Sequence, residues 1–161
     1  MRRVALAAVV AIVGAACAGA QEARRFADWT LLQAPGQGCV LQYRAVAPEA
    51  GLALADLYLS QVDEGGAILS VRVPVGASIA DRVVFRHPGA DRAVPLIWQT
   101  CNRDTCLAQV HVTEQELDRL RARRRIELSF VPTPGARRLS FPVSLMGVTA
   151  GFRAARACSP R

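Results

Sequence analysis

The 161-residue chain carries 20 basic and 13 acidic residues, a formal net charge of +7, and is 52% hydrophobic. That hydrophobic share, with no low-complexity tract and no internal repeat, excludes a disordered or solenoid chain and leaves one domain able to bury a core of its own. All 20 basic residues are arginine, a bias that a GC-rich genome also produces, so the basicity by itself marks anionic partners only weakly.

Arg2 and Arg3 precede an apolar run from Val4 to Ala16, and small residues then lead to Ala18-Gly19-Ala20. A positive start, a short apolar stretch and an A-x-A site predict a secretory signal peptide over residues 1–20, cleaved before Gln21. The run is short for a bilayer core that takes roughly 20 apolar residues, and no second one follows, so no transmembrane segment is expected in the mature chain. The rival reading makes Cys17 a lipid-bearing cysteine; the Leu usual three residues earlier is Gly14 here, and ordinary cleavage is preferred. Without the leader, 18 arginines face 13 acids, a net +5 over the mature domain 21–161.

Strand patterns dominate the mature domain. LADLYLSQV and AILSVRV, joined through Asp63-Glu64-Gly65-Gly66, alternate apolar and polar residues, with Ala67, Leu69, Val71 and Val73 on one face. VPLIWQT and LAQVHV flank Cys101-Asn102-Arg103-Asp104-Thr105-Cys106, a hairpin with turn-forming residues at its tip. Thr113 with Glu116 forms a capping box, and Val112 can staple onto Leu117; a helix is predicted from about Glu114 to Arg124, with Leu117 and Leu120 inward. RIELSFV and RLSFPVSL resume the alternation around a Pro-Gly turn, and Pro142 predicts an edge strand or a bulge. These elements predict a mainly β fold: an antiparallel sandwich or barrel-like domain with one short α-helix, stapled by disulfides.

Once Cys17 leaves with the leader, four cysteines remain: Cys39, Cys101, Cys106 and Cys158. An even number in an exported chain reads as disulfides. Cys101 and Cys106 face each other across the predicted hairpin and are expected to bridge. A redox pair wants C-x-x-C opening a helix, and a zinc set of Cys101, Cys106, His111 and His87 fits no common finger spacing, so no metal is expected.

Catalytic patterns are missing. There is no G-x-S-x-G, and the only imidazoles are His87, read as a loop residue, and His111, read as a structural residue on a strand. Asp63, Glu64, Asp81, Asp91 and Asp104 fall in turns or loops, where solvation explains them. Gly65-Gly66 is a turn and not a phosphate loop, and no cofactor is expected. Trp29 and Trp98 are read as core residues in preference to stacking platforms.

Asp28-Trp29, Cys39 leading VLQY, RVPVG at 72–76, the C-x4-C hairpin, the short helix and the closing PVSLMGVTAGFRAA together resemble the bacterial invasion-associated locus B family, over nearly all of the mature chain. The resemblance implies an exported, non-catalytic envelope or secreted protein with a part in host-cell association or invasion. Relatives commonly carry a cysteine shortly after the tryptophan that pairs with the next one; this chain has Leu32 in that region and an extra Cys158 near its end. Set against that pattern, Cys39 is expected to pair with Cys158.

The reading that results is an exported interaction module, periplasmic, outer-membrane-associated or secreted, whose partner is a protein or an anionic envelope surface. The alternative is a periplasmic enzyme or enzyme inhibitor. Nucleic acid is not expected, because no aromatic residues interleave with the basic ones. The candidate anion-binding residues are Arg121, Arg123, Arg124 and Arg125, with Arg137 and Arg138 expected to be brought beside them by the following hairpin.

Overall fold

The computed structural model describes residues 23–34, 38–62, 65–87, 90 and 92–158; the expected signal peptide, Cys17, Asp63, Glu64 and Asp91 lie outside them. Two antiparallel sheets form the body. The larger has seven strands in the order β1 (Arg24–Phe26), β2 (Trp29–Ala34), β3 (Gly38–Val46), β4 (Ala53–Gln61), β5 (Ala67–Pro74), β9 (Thr105–Val112) and β8 (Ile97–Cys101). The smaller has four, ordered β11 (Leu139–Ser144), β10 (Arg125–Phe130), β6 (Val84–Arg86) and β7 (Ala93–Pro95). Pro142 therefore sits on an edge strand, where its missing N–H costs no ladder bond.

Alternation fixes which face each strand buries. Ala55, Leu57 and Leu59 of β4 and Ala67, Leu69, Val71 and Val73 of β5 all point inward. They share one core with Phe85 of β6, with Ile126, Leu128 and Phe130 of β10, and with Phe141 and Val143 of β11. A one-residue slip in any of these strands would expose its whole apolar set, so the registers are strongly specified.

Helix α1 spans Glu114–Arg121 and buries Leu117 and Leu120. Its capping box is formed: Glu116 N–H donates to Thr113 Oγ1 at 3.3 Å, and Thr113 N–H donates to Glu116 Oε2 at 3.0 Å. The expected end at Arg124 is corrected to Arg121. Arg123 N–H tightens onto the Leu120 carbonyl at 3.0 Å, and the Arg124 carbonyl accepts from Leu145 N–H at 2.9 Å, so this backbone already feeds β10.

A second helix, α2 (Val148–Cys158), corrects the expectation of one. Val148, Phe152 and Ala155 recur at helical spacing and are buried, and Gly151 lets the helix lie close on Leu41 of β3. Gly147, just before it, has φ of 99°, and a Cβ there would collide with the Phe26 carbonyl oxygen. Trp29 Nε1 donates to the Ser144 carbonyl at 2.8 Å, Asp28 N–H donates to the Met146 carbonyl at 3.3 Å, and Ser144 Oγ donates to Asp28. The Asp28-Trp29 turn thereby anchors the segment leading into α2, and the Cys39–Cys158 disulfide ties the other end of that helix to β3.

Candidate functional site

Each cysteine of the mature chain lies at bridging distance from another. Cys101 and Cys106 stand directly opposite each other on β8 and β9, Cα atoms 4.0 Å apart, below a tip where the Asn102 side chain accepts from Asp104 and Thr105 N–H at 2.9 and 2.8 Å. Cys39 and Cys158 have Cα atoms 5.7 Å apart across 119 residues of chain. Their sulfurs are engaged with each other, and among the described residues no group of three or more His, Cys, Asp or Glu could hold a metal ion.

The arginines are arranged differently from the expectation. Arg125 pairs with Ser144 and Phe130 with Leu139, so the β10–β11 hairpin sets Arg121–Arg125 at one end and Arg137–Arg138 at the other. Five strand steps of about 3.3 Å separate the two groups by roughly 17 Å. The expected convergence is therefore corrected: an antiparallel hairpin brings together residues equidistant from its turn, and these are not. Arg123 and Arg124 are exposed, and Arg138 reaches back to the Arg82 carbonyl at 3.0 Å.

What does meet Arg121 comes from α2. Arg121, Arg153 and Arg156 surround a depression of 160 Å³ floored by Phe152, with Thr149 on its wall. The Arg121 guanidinium lies over the Phe152 ring, 5.0 Å from its centroid, and donates to Asp118 at 2.9 Å, while its Nε is buried without a partner among the described residues. Arg156 stands 4.0 Å from Glu114. Arg153 and Arg156 were legible only as the 3-residue spacing in FRAAR, which carries no meaning until α2 is recognised as a helix.

A second depression, of 330 Å³, opens on the outer face of the small sheet between Arg86, His87, Arg125, Glu127 and Ser140. Burial, then Arg123 and Arg119, hold the His87 pKa below its ordinary value against the opposing pull of Glu116. Among the described residues its buried Nδ1 has no partner, so neither Glu127 nor Ser140 orients that nitrogen. His111 is exposed on β9. Asp81 accepts from the Ser78 hydroxyl at 2.8 Å, and Trp29 is a core residue. Trp98, expected in the core, packs only at its margin, on the edge strand β8, with its indole Nε1 buried and unpartnered among the described residues.

An antiparallel two-sheet domain, with a terminal helix clamped by disulfide and hydrogen bonds and with shallow clefts rimmed by arginine, is the class of protein that this fold defines. The family model for invasion associated locus B (IalB) protein matches residues 16–156, and the chain belongs to that family. The crystal structure of invasion associated protein B from Bartonella henselae shares the fold, with a TM-score of 0.74 at 16% identity, covering 84% of this chain and 96% of that one. No curated protein matches. The family is one of exported, invasion-associated proteins, and a chain with two disulfides suits an oxidising compartment.

Proposed function

We propose that this domain is a non-catalytic interaction module of the bacterial envelope, linked to host association, and that its α1–α2 end binds anionic surface groups. The observation that carries the reading is the convergence of Arg121, Arg153 and Arg156 from two helices on one depression, with a buried Arg121 Nε that has no partner among the described residues. Guanidinium forks suit phosphate and carboxylate, and clustered arginines raise the local potential for lipopolysaccharide, anionic lipid or an acidic protein. Membership in an exported family supports a periplasmic, outer-membrane-associated or secreted setting. No described helix is long and apolar enough to cross a membrane, which suits attachment through the surface.

The alternative, a periplasmic enzyme or inhibitor, would use the His87 depression. A depressed pKa keeps His87 neutral and free to accept a proton, but a general base also needs a partner to fix its tautomer, and among the described residues its buried nitrogen has none.

Binding to anionic vesicles and to lipopolysaccharide, measured across a salt series, tests the proposal. At about 1 kcal/mol per arginine near a charged surface, Arg153→Gln with Arg156→Gln should weaken binding roughly thirtyfold at low salt and less at high salt. Arg137→Gln with Arg138→Gln, at the far end of the hairpin, should change it little. Equal losses from both pairs would reduce the effect to net charge, and no loss from the first pair would overturn the site.

A further inference from the structure

A sheet edge presents a row of backbone N–H and C=O groups that a second chain can pair with, and proteins blunt such edges with charge, proline, brevity or bulges. Among the described residues, three of the four edge strands are blunted by charge, brevity or proline. β1 is three residues long, two of them Arg24 and Arg25; β7 is three residues ending on Pro95; β11 carries Pro142. β8 differs: its five residues, IWQTC, hold neither charge nor proline.

A register shift, itself a device that interrupts edge pairing, falls between Trp98 and Thr100, where the Gln99 amide folds back to donate to the Ile97 carbonyl at 3.2 Å. It leaves Ile97 and Trp98 on one side and Thr100 and Cys101 on the other in the ladder. Beyond it the strand is regular. Cys101 faces Cys106 at a Cα separation of 4.0 Å, the close spacing of a non-hydrogen-bonded pair, so the Cys101 N–H and C=O turn toward the free edge.

Alongside β8 runs a depression of 330 Å³ between the 79–82 loop and the strand. Ile79 and Ile97 on its rim are each 60% exposed, and the Trp98 Nε1 lies buried beside them with no acceptor among the described residues. The flank is basic. Arg82 lines the depression and is exposed, and Arg138 packs its guanidinium onto the Arg82 carbonyl. Asp81 is committed to Ser78, and at the hairpin tip Arg103 is balanced by Asp104.

We propose that β8 captures an extended segment of a partner protein, added to the seven-stranded sheet as a further strand. Its apolar side chains seat between Ile79 and Ile97, and its acidic side chains turn to Arg82 and Arg138. Main-chain pairing supplies affinity, and the alternation of apolar and acidic residues supplies selectivity. A second copy of this chain fits poorly, because pairing β8 with itself brings two basic flanks together. The site is separate from the α1–α2 arginines and stands or falls without them.

The test uses the oxidised mature domain and a labelled peptide of about ten residues alternating Val and Glu, long enough to overhang the strand. Fluorescence anisotropy should show saturable binding, at least about tenfold weaker for a Val/Lys peptide or for the Ile97→Glu domain. Ile97 is exposed, so that variant should keep its thermal melt. Arg82→Gln should weaken the Val/Glu peptide and leave a Val/Ser peptide unaffected, and hydrogen exchange at the Cys101 amide should slow when peptide is bound. No binding by the folded domain, or equal binding by Ile97→Glu, overturns the proposal. So does a concentration-dependent dimer in sedimentation that Ile97→Glu abolishes, since the occupant would then be a second copy.

Discussion

Replacing the two disulfides separately, each pair by alanine, should cost very different amounts of stability. In the chain-entropy model a crosslink restricts the unfolded chain in proportion to the logarithm of the loop it closes. Cys39 and Cys158 are 119 residues apart, Cys101 and Cys106 only 5. The model gives about 5 kcal/mol for the first loop and about 2 kcal/mol for the second. Cys106 is buried, so alanine there leaves a small void worth up to about 1 kcal/mol more, which narrows the gap without reversing it. Folded-state contacts should survive loss of the long crosslink, because Phe152 remains fully buried and the Asp28-Trp29 turn still holds the other end of α2. Urea unfolding of the oxidised proteins, followed by the fluorescence of buried Trp29, measures both differences. The Cys39→Ala/Cys158→Ala protein should also show a larger denaturant slope, since its unfolded chain is more expanded. A smaller loss for that pair than for Cys101→Ala/Cys106→Ala would refute the entropic account of this frame.

Gly151→Ala places a methyl 2.5 Å from Leu41 Cδ2; the overpacking cost of about 1–3 kcal/mol should outweigh a helix-propensity gain near 1 kcal/mol, lowering the urea midpoint, and the loss should be non-additive with Leu41→Ala in a double-mutant cycle. Thr113→Ala removes the hydroxyl half of the capping box and should cost about 1 kcal/mol in the same assay. His87 has a folded pKa below its ordinary 6.5, so the unfolded chain binds the proton more readily; the stability linked to it is fully present above that value and is lost as pH falls through the folded pKa. His87→Asn should therefore flatten the urea midpoint between about pH 7.5 and pH 5, and an unchanged pH slope would show that His87 is not the titrating group.

Elements whose signal is local were legible in the sequence. β4, β5 and β10 announce their buried faces by strict alternation, and α1 by Thr113-x-x-Glu116, because each pattern is set by the period of one element. α2 was hidden: its stripe of Val148, Phe152 and Ala155 is interrupted by Gly151, a residue that weakens helices, and only the approach to Leu41 explains it. The candidate sites were less legible still. Arg121 meets Arg153 and Arg156 through the packing of α2, some thirty residues further along the chain, whereas Arg137, close to Arg125 in sequence, is carried away by the hairpin register. Trp98 reads as a core residue because it is a large aromatic on a strand, but that does not say which strand ends up at the edge of the sheet.

The sequence features that suggested a family turn out to serve the frame more than the surface. Asp28 and Trp29 hold the entry to α2 by three hydrogen bonds to residues 144–146, and Cys39 holds its exit. With both ends fixed, Arg153 and Arg156 keep a defined position against Arg121, so the proposed anion site would lose no interaction energy to ordering α2. At the other edge of the large sheet, the Cys101–Cys106 bridge joins β8, the edge strand without charge or proline, to β9 and fixes its hairpin in the same way. Each disulfide thus pre-organises one candidate contact surface. A short bridge that adds little global stability can still matter for binding at β8, because rigidity of the receiving strand, and not the stability of the domain, sets what an incoming segment must order.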